Sequence, residues 1–242
     1  MTRKSFIFIF LLFFCWTTES GFTATIESEV KKTDSEKIFL SESELIYNNL
    51  KHSESGSLPS FEAFSLALKG FNNLKIVPEN LKKDILTIVD FSLSSCEKRL
   101  WVIDMKKNKV LYNDLVAHGK NSGANFAKKF SNIPNTNMSS LGFYVTGKTY
   151  QGKHGLSLYL DGMDRELNAN ARKRSIVMHG AKYVSHDFIK KYGRLGRSLG
   201  CPSLSMDIYK DVIQTIQGGS CLFIYYPDKQ FLAKSTILNP VI

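Results

Sequence analysis

Between residues 83 and 226 the apolar residues fall in short runs and alternations, separated by polar and Gly-containing connections, and no strand–helix unit repeats. This pattern narrows the available folds more than any other feature. Without regular strand–helix alternation a doubly wound nucleotide fold is excluded, and a β-rich domain with one embedded helix remains. Residues 85–91 and 99–104 read as strands, the second turning through the polar residues 105–109 into 110–112 as a hairpin. Residues 141–146, 156–160 and 175–178 add three more strands. Residues 221–226, nearly all apolar, read as a central strand closed by Pro227. The embedded helix is expected at 206–216, with Ile208, Val212 and Ile216 on one face and Gly218-Gly219 stopping it.

Upstream, residues 25–58 are rich in Ser, Glu and Lys. A helix is expected over 41–50, with Ser41 and Glu44 at capping-box spacing and Leu45, Tyr47 and Leu50 as its buried positions. A second begins near Ser60, where Phe61, Phe64, Leu68 and Phe71 share one face and Gly70 weakens the end. Two short helices cannot bury a core of their own, so this pair must pack on the β-rich region downstream. Residues 25–80 are therefore read as a polar linker and short helical segment preceding a domain at 81–242.

The first residues differ again. Met1-Thr2-Arg3-Lys4 is a positive region, residues 6–16 are almost unbroken Phe, Ile and Leu, and Thr17 to Gly21 end the run. That is the pattern of a signal peptide over residues 1–22, cleaved between 20 and 24. It implies export to the periplasm or cell envelope, with no stable membrane insertion once the leader is removed. Cys15 leaves with it. Cys96, Cys201 and Cys221 then remain, an odd number. Cys96 and Cys221 can be read as a disulfide or as small buried hydrophobes. The formal charge of +10 favours anionic partners. There is no zinc-finger spacing and no aromatic-basic strand motif, so no nucleic acid is expected; an anionic envelope polymer or a membrane surface fits the same charge, and charge alone does not choose between them.

The most informative stretch is Arg194-Leu-Gly-Arg-Ser-Leu-Gly-Cys-Pro-Ser-Leu. Gly196 and Gly200 relax the backbone around Ser198, and Pro202 fixes the dihedral after Cys201. A glycine just before a cysteine leaves amides free to hold an oxyanion beside the sulfur, and the two arginines favour thiolate. His179, at the end of an apolar strand and followed by Gly180, is placed to act as the base for that sulfur. His118-Gly119 and His154-Gly155 also lie at expected strand ends, where either can line the same cleft. By residue type these histidines and Cys201 make a zinc set, but none has short ligand spacing, and no metal is expected.

Together, Met178-His179-Gly180 and Gly196-Arg-Ser-Leu-Gly-Cys-Pro202 resemble the catalytic signature of YkuD-type L,D-transpeptidases. More closely, the chain resembles murein L,D-transpeptidase catalytic domain-like proteins. The likeness extends through Val116-Ala-His-Gly-Lys120, Phe130-Ser-Asn132, Ser139-Ser-Leu-Gly-Phe143, Thr146 to Leu158 and Gly193-Arg-Leu-Gly-Arg-Ser198. The resemblance implies a mixed β-sandwich with an embedded helix. It implies a cysteine acyltransferase that works without a cofactor, as a monomer, on peptidoglycan stem peptides, by L,D-transpeptidation or L,D-carboxypeptidation through a thioester. Cys201 matches the nucleophile, His179 the base, Gly180 the residue whose carbonyl orients the imidazole, and Gly200 with Cys201 the oxyanion segment. Ser198, Arg197, Arg194, His118 and His154 are the expected substrate-binding residues. The chain departs from better-known members at Leu199, where they carry histidine, and at Ser203, where they carry Arg or Asn. Arg194 or Arg197 is expected to take over carboxylate recognition. The rival readings are an exported cysteine peptidase or amidase of other specificity, and a non-catalytic basic wall-binding protein.

Overall fold

The computed structural model describes residues 42–50, 57–77 and 79–240, all within one compact unit, Ser41–Ile242. The expected leader, most of the polar stretch and the Ser41 cap lie outside the described residues. Helix α1 covers residues 42–49 and α2 covers Phe61–Lys75. They are followed by β1 (Ile85–Asp90), β2 (Leu100–Asp104), β3 (Lys109–Asp114), β4 (Val116–Ala117), β5 (Gly142–Gly152), β6 (Gly155–Gly162) and β7 (Val177–Gly180). After these come α3 (His186–Tyr192), β8 (Ser203–Leu204), α4 (Tyr209–Ile216), β9 (Cys221–Tyr225) and α5 (Lys229–Lys234).

The strands form one sheet in the order β3-β2-β1-β9-β5-β6-β7-β8-β4. Two neighbouring pairs are parallel, β1·β9 and β7·β8. Strand β9 lies in the middle and all five of its residues are buried, which is why its sequence is apolar without alternation. The β2–β3 turn is held by the Asp104 carboxylate, which accepts from the amides of Lys106 and Lys107, both at 3.0 Å; Asn108 there takes a positive φ.

Alternating residues send two faces into two cores. On one, α2 lays Phe64, Leu68 and Phe71 against Leu86, Ile88, Trp101, Ile103, Phe143 and Phe223. On the other, Val212, Ile213 and Ile216 of α4 join Val89, Val102, Leu158, Met178, Leu204 and Ile224. Val102 and Val116 come from near opposite ends of the strand order yet belong to this same core, so the sheet curls round α4 into a nearly closed barrel. The expected β-rich domain with an embedded helix is thus what forms.

Details of the helical segment differ from the sequence reading. In α1 the buried face runs through Ser43, Ile46, Tyr47 and Leu50, while Leu45 is 64% exposed. Gly70 does not end α2, which continues to Lys75 with Ser60 capping its start. At Gly70 the helix meets the Phe143 ring so closely that an added Cβ would lie 2.0 Å from it, and only glycine permits that approach. Segment 57–60 is stitched to the sheet: the Trp101 indole donates to Ser57 O at 2.6 Å, and Tyr47 donates to Pro59 O at 2.7 Å. Cys96 and Cys221 are both free; Cys221 lies in the central strand and Cys96 in the β1–β2 connection, so no disulfide forms. Among the described residues no helix is long and apolar enough to cross a membrane.

Because Phe64 is fully buried between α2 and the sheet, Phe64→Ala should lower the unfolding free energy by about 3–5 kcal/mol in urea titration. A loss under ~1 kcal/mol would mean that α2 contributes little to the domain.

Candidate active site

The parallel β7·β8 ladder sets His179 opposite Ser203 and Gly180 opposite Leu204. Cys201 precedes β8 by two residues, so this register brings the Cys201 and His179 segments together. Both side chains line a cleft of about 380 Å³ with Tyr150, Lys153, His154, Arg174, Tyr183, Arg197 and Leu199.

His179 is almost wholly buried, with Nδ1 2.9 Å from the Gly180 carbonyl. A carbonyl only accepts, so Nδ1 carries the proton and Nε2 is the free base position. Nε2 lies 3.1 Å from the Ser203 hydroxyl. The His154 ring, from the tip of the β5–β6 hairpin, stacks on His179 with centroids 4.4 Å apart. Burial pushes the His179 pKa below the usual imidazole value; the Gly180 carbonyl opposes this, and the nearby His154 and Lys153 charges add to it.

The Cys201 sulfur takes its polar contacts from the start of β7, accepting from Val177 N–H at 3.5 Å and facing Ser175 O at 3.7 Å. Ser175 is a non-glycine residue with φ +56°, a conformation that turns its carbonyl to the sulfur at some backbone strain. Burial raises the Cys201 pKa, against the lowering effects of Val177 N–H and of the Arg174 and Lys153 charges. Both shifts favour the neutral thiol and the neutral imidazole. Val177 and His179 are two residues apart, or ~7 Å along the strand, and the polar contacts of the sulfur are with the Ser175–Val177 end of it.

The direction of the Cys201 amide is set by one peptide plane. The Gly200 carbonyl accepts from the buried Ser139 hydroxyl at 3.1 Å, and that hydroxyl accepts in turn from Gly119 N–H. In a trans peptide the C=O and N–H point in opposite directions, so the Cys201 N–H is turned away from the interior towards its own sulfur. Gly200 adopts φ +127°, where a Cβ would meet Met138 O at 2.8 Å, and only glycine fits. Its own amide donates to Ser198 Oγ and is not free for an oxyanion, in contrast to the sequence reading. Ser198 also donates to the Cys201 carbonyl at 2.6 Å, so it braces the nucleophile loop.

Of the expected substrate-binding residues, His154, Arg197 and Ser198 line the cleft. Arg197 is anchored through Nη1 on Lys120 O and Gly123 O. His118 does not reach the cleft: it is fully buried, accepting from Arg99 Nη2 at 2.8 Å and facing Gly123 O. Burial, with the Arg99 charge, pushes its pKa down to about 4. Arg194 folds onto the carbonyl of Leu195 and is not among the lining residues. Arg174 and Lys153 were not singled out from the sequence. Arg174 donates to Ser131 O, Met138 O and the Ser140 and Thr136 hydroxyls, pinning the loop before β5 beside the cleft; nothing in its surrounding run of polar residues distinguishes it. Lys153 adjoins His154 in a Gly-Lys-His-Gly turn, which was the available signal. Among the described residues no cluster of three or more His, Cys, Asp or Glu is arranged to hold a metal.

Because the Cys201 thiol is raised by burial, its alkylation by iodoacetamide should still be climbing past pH ~8.5, the midpoint of an unperturbed thiol. Rates followed by peptide mass spectrometry should therefore increase steadily with alkalinity; a plateau at or below neutral pH would show a resting thiolate instead.

The family comes from comparison with known proteins. No curated protein matches the chain. Among solved structures it is similar to an L,D-transpeptidase from Stackebrandtia nassauensis, at 12% identity over 79% of this chain and 92% of that one, with TM-score 0.37. It is also similar to one from Mycobacterium smegmatis, at 13% identity over 59% of each chain, with TM-score 0.37; the chain thus spans about 59% of that protein's length. The model of the L,D-transpeptidase catalytic domain matches residues 56–225, well over half of the sequence and including every residue that lines the cleft. The chain belongs to the L,D-transpeptidase catalytic domain family.

Proposed function

We propose that this protein catalyses cysteine-dependent acyl transfer on peptidoglycan stem peptides outside the cytoplasmic membrane. The observation that supports the reading is the convergence of Cys201, His179 and an outward-turned Cys201 amide in one cleft whose lining, among the described residues, includes Lys153, Arg174 and Arg197 and no carboxylate side chain. Stem peptides bear carboxylates, and a cationic cleft attracts them.

His179 Nε2 takes the Cys201 proton as the sulfur swings from Ser175 and attacks the carbonyl of the third-position diamino acid. The tetrahedral oxyanion forms beside the Cys201 N–H. The imidazolium then protonates the departing D-alanine amine, leaving a thioester on Cys201. An acceptor amine attacks that thioester to give a cross-link and return the thiol; water attacking instead would trim the stem. Leu199, 58% exposed at the rim, has no proton to share, so the second imidazole near the base comes from His154 on the β5–β6 hairpin.

Purified protein lacking the leader, incubated with tetrapeptide-bearing muropeptides, should release D-alanine and form cross-linked products, and Cys201→Ala should yield neither by chromatography and mass spectrometry. A correctly folded wild type that forms no product would refute the reading. Arg197→Ala should raise KM for the donor about tenfold or more, the scale of one charge-assisted hydrogen bond, with a smaller change in kcat. Unchanged KM and kcat would remove Arg197 from carboxylate recognition.

A further inference from the structure

Ser203 stands two residues beyond the nucleophile, yet its hydroxyl points to the base. The same oxygen lies 3.1 Å from the Tyr183 hydroxyl. We propose that Ser203, held by Tyr183, is a positioning residue for His179, the two hydroxyls forming a hydrogen-bond chain that reverses when the imidazole is protonated. The inference rests on the reading of Cys201 and His179 as nucleophile and base.

The direction of the chain in the resting protein is fixed at its far end. Nδ1–H is committed to the Gly180 carbonyl, so neutral His179 presents a bare Nε2 that needs a donor. Ser203 has one proton to give and directs it there, and its lone pair then accepts from Tyr183. The sequence Tyr183 O–H to Ser203 O–H to Nε2 leaves each group satisfied. Nε2 has one lone pair, so as the thiol approaches Ser203 turns its proton from Nε2 to the Tyr183 oxygen, and Tyr183 turns its own proton towards the cleft. Once Nε2 carries the Cys201 proton it is a donor, and Ser203 accepts from it. No bond to carbon changes, and the number of protons in the chain rises by the one the thiol lost. A side chain that only donates, such as arginine, could serve one of these two states and not the other.

Burial gives the switch its weight. Ser203 is fully buried and His179 nearly so, so an N–H or lone pair left without a partner there is not rescued by solvent. The groups facing the pair are Lys153, His154 and Tyr150 from the β5–β6 hairpin, Arg174 before β7, Tyr183 after it and Arg197 from the nucleophile loop. Tyr209 of α4 packs on Gly180 from the other side. Lys153 and His154 oppose an imidazolium, and a hydroxyl able to accept from Nε2–H offsets part of that opposition. The geometry is rigid: cross-strand register sets Ser203 beside His179, and the Tyr183 carbonyl accepts from Gly196 N–H at 2.9 Å.

The test reads thiol chemistry and requires no peptidoglycan, so its failure is separable from a failure of the acyl-transfer reading, which muropeptide turnover by the wild type decides. Alkylation of Cys201 by iodoacetamide is followed from neutral to alkaline pH, with the modified peptide quantified. Ser203→Ala should slow the reaction at neutral pH by about tenfold and displace its profile upward by about one pKa unit. Ser203→Thr, which keeps the hydroxyl, should return the profile to that of the wild type, and Tyr183→Phe should displace it part of the way. A Ser203→Ala profile superimposed on the wild type would overturn the proposal. So would a faster reaction in Ser203→Ala, since the hydroxyl would then be blocking the base, and so would a Ser203→Thr variant that melts like the wild type yet stays slow.

Discussion

Two residues of parallel ladder hold this site together. Strands β7 and β8 pair only over His179↔Ser203 and Gly180↔Leu204, yet that pairing joins segments 24 residues apart in sequence. A slip of one residue would reverse which side chains face the cleft, carrying His179 away from the sulfur. The register is secured from both sides. Leu204 and Met178 enter the core around α4, and β4 pairs with β8 along its other edge. A buried serine network through Ser139 and Ser122 fixes the nucleophile loop from beneath. The geometry of the cleft is a consequence of sheet register before it is a property of Cys201 and His179.

The electrostatics arise from the same burial. Cys201 and His179 both favour their neutral forms, because desolvation raises one pKa and lowers the other. Lys153 and Arg174 favour the thiolate, but Lys153, with His154, opposes the imidazolium, so cations alone do not stabilise the charged pair. An incoming carboxylate would offset them. Under the proposed function, an anionic substrate docking in the cleft would also ease proton transfer within it.

Much of the fold was legible in the sequence. The nearly unbroken apolar run at Cys221–Tyr225 announced a central strand, and the Asp104–Lys109 turn announced a hairpin. Strands β4 and β8, two residues each, are too short to show a period. Helix α3 buries none of its residues, so no apolar stripe betrays it; the Ser185 cap and Gly193 with φ +67° were the signals present. At the site, Cys201 and His179 stood out through their Gly neighbours and their ordered matching blocks. His118 shared the same strand-end, Gly-following pattern but turns inward to Arg99, because the pattern locates a strand end and not the side its ring takes. Gly70 read as a helix weakener because the Phe143 ring it accommodates lies 73 residues further on and is brought there only by the sheet. Ser203 stood out only as a departure from better-known members, and Tyr183 not at all, until the register set Ser203 between His179 and Tyr183.

The proposed chemistry stands or falls on Cys201 carrying the acyl group between donor and acceptor. This is read from the intact mass of the protein, quenched in acid during turnover with a tetrapeptide donor and no acceptor amine. The expected species is heavier than the free protein by the donor less D-alanine, with the added mass mapped to the peptide containing Cys201 and released by hydroxylamine as a thioester is. D-Alanine release or cross-linking with no adduct at Cys201 would be incompatible with a covalent acyl-enzyme at this residue.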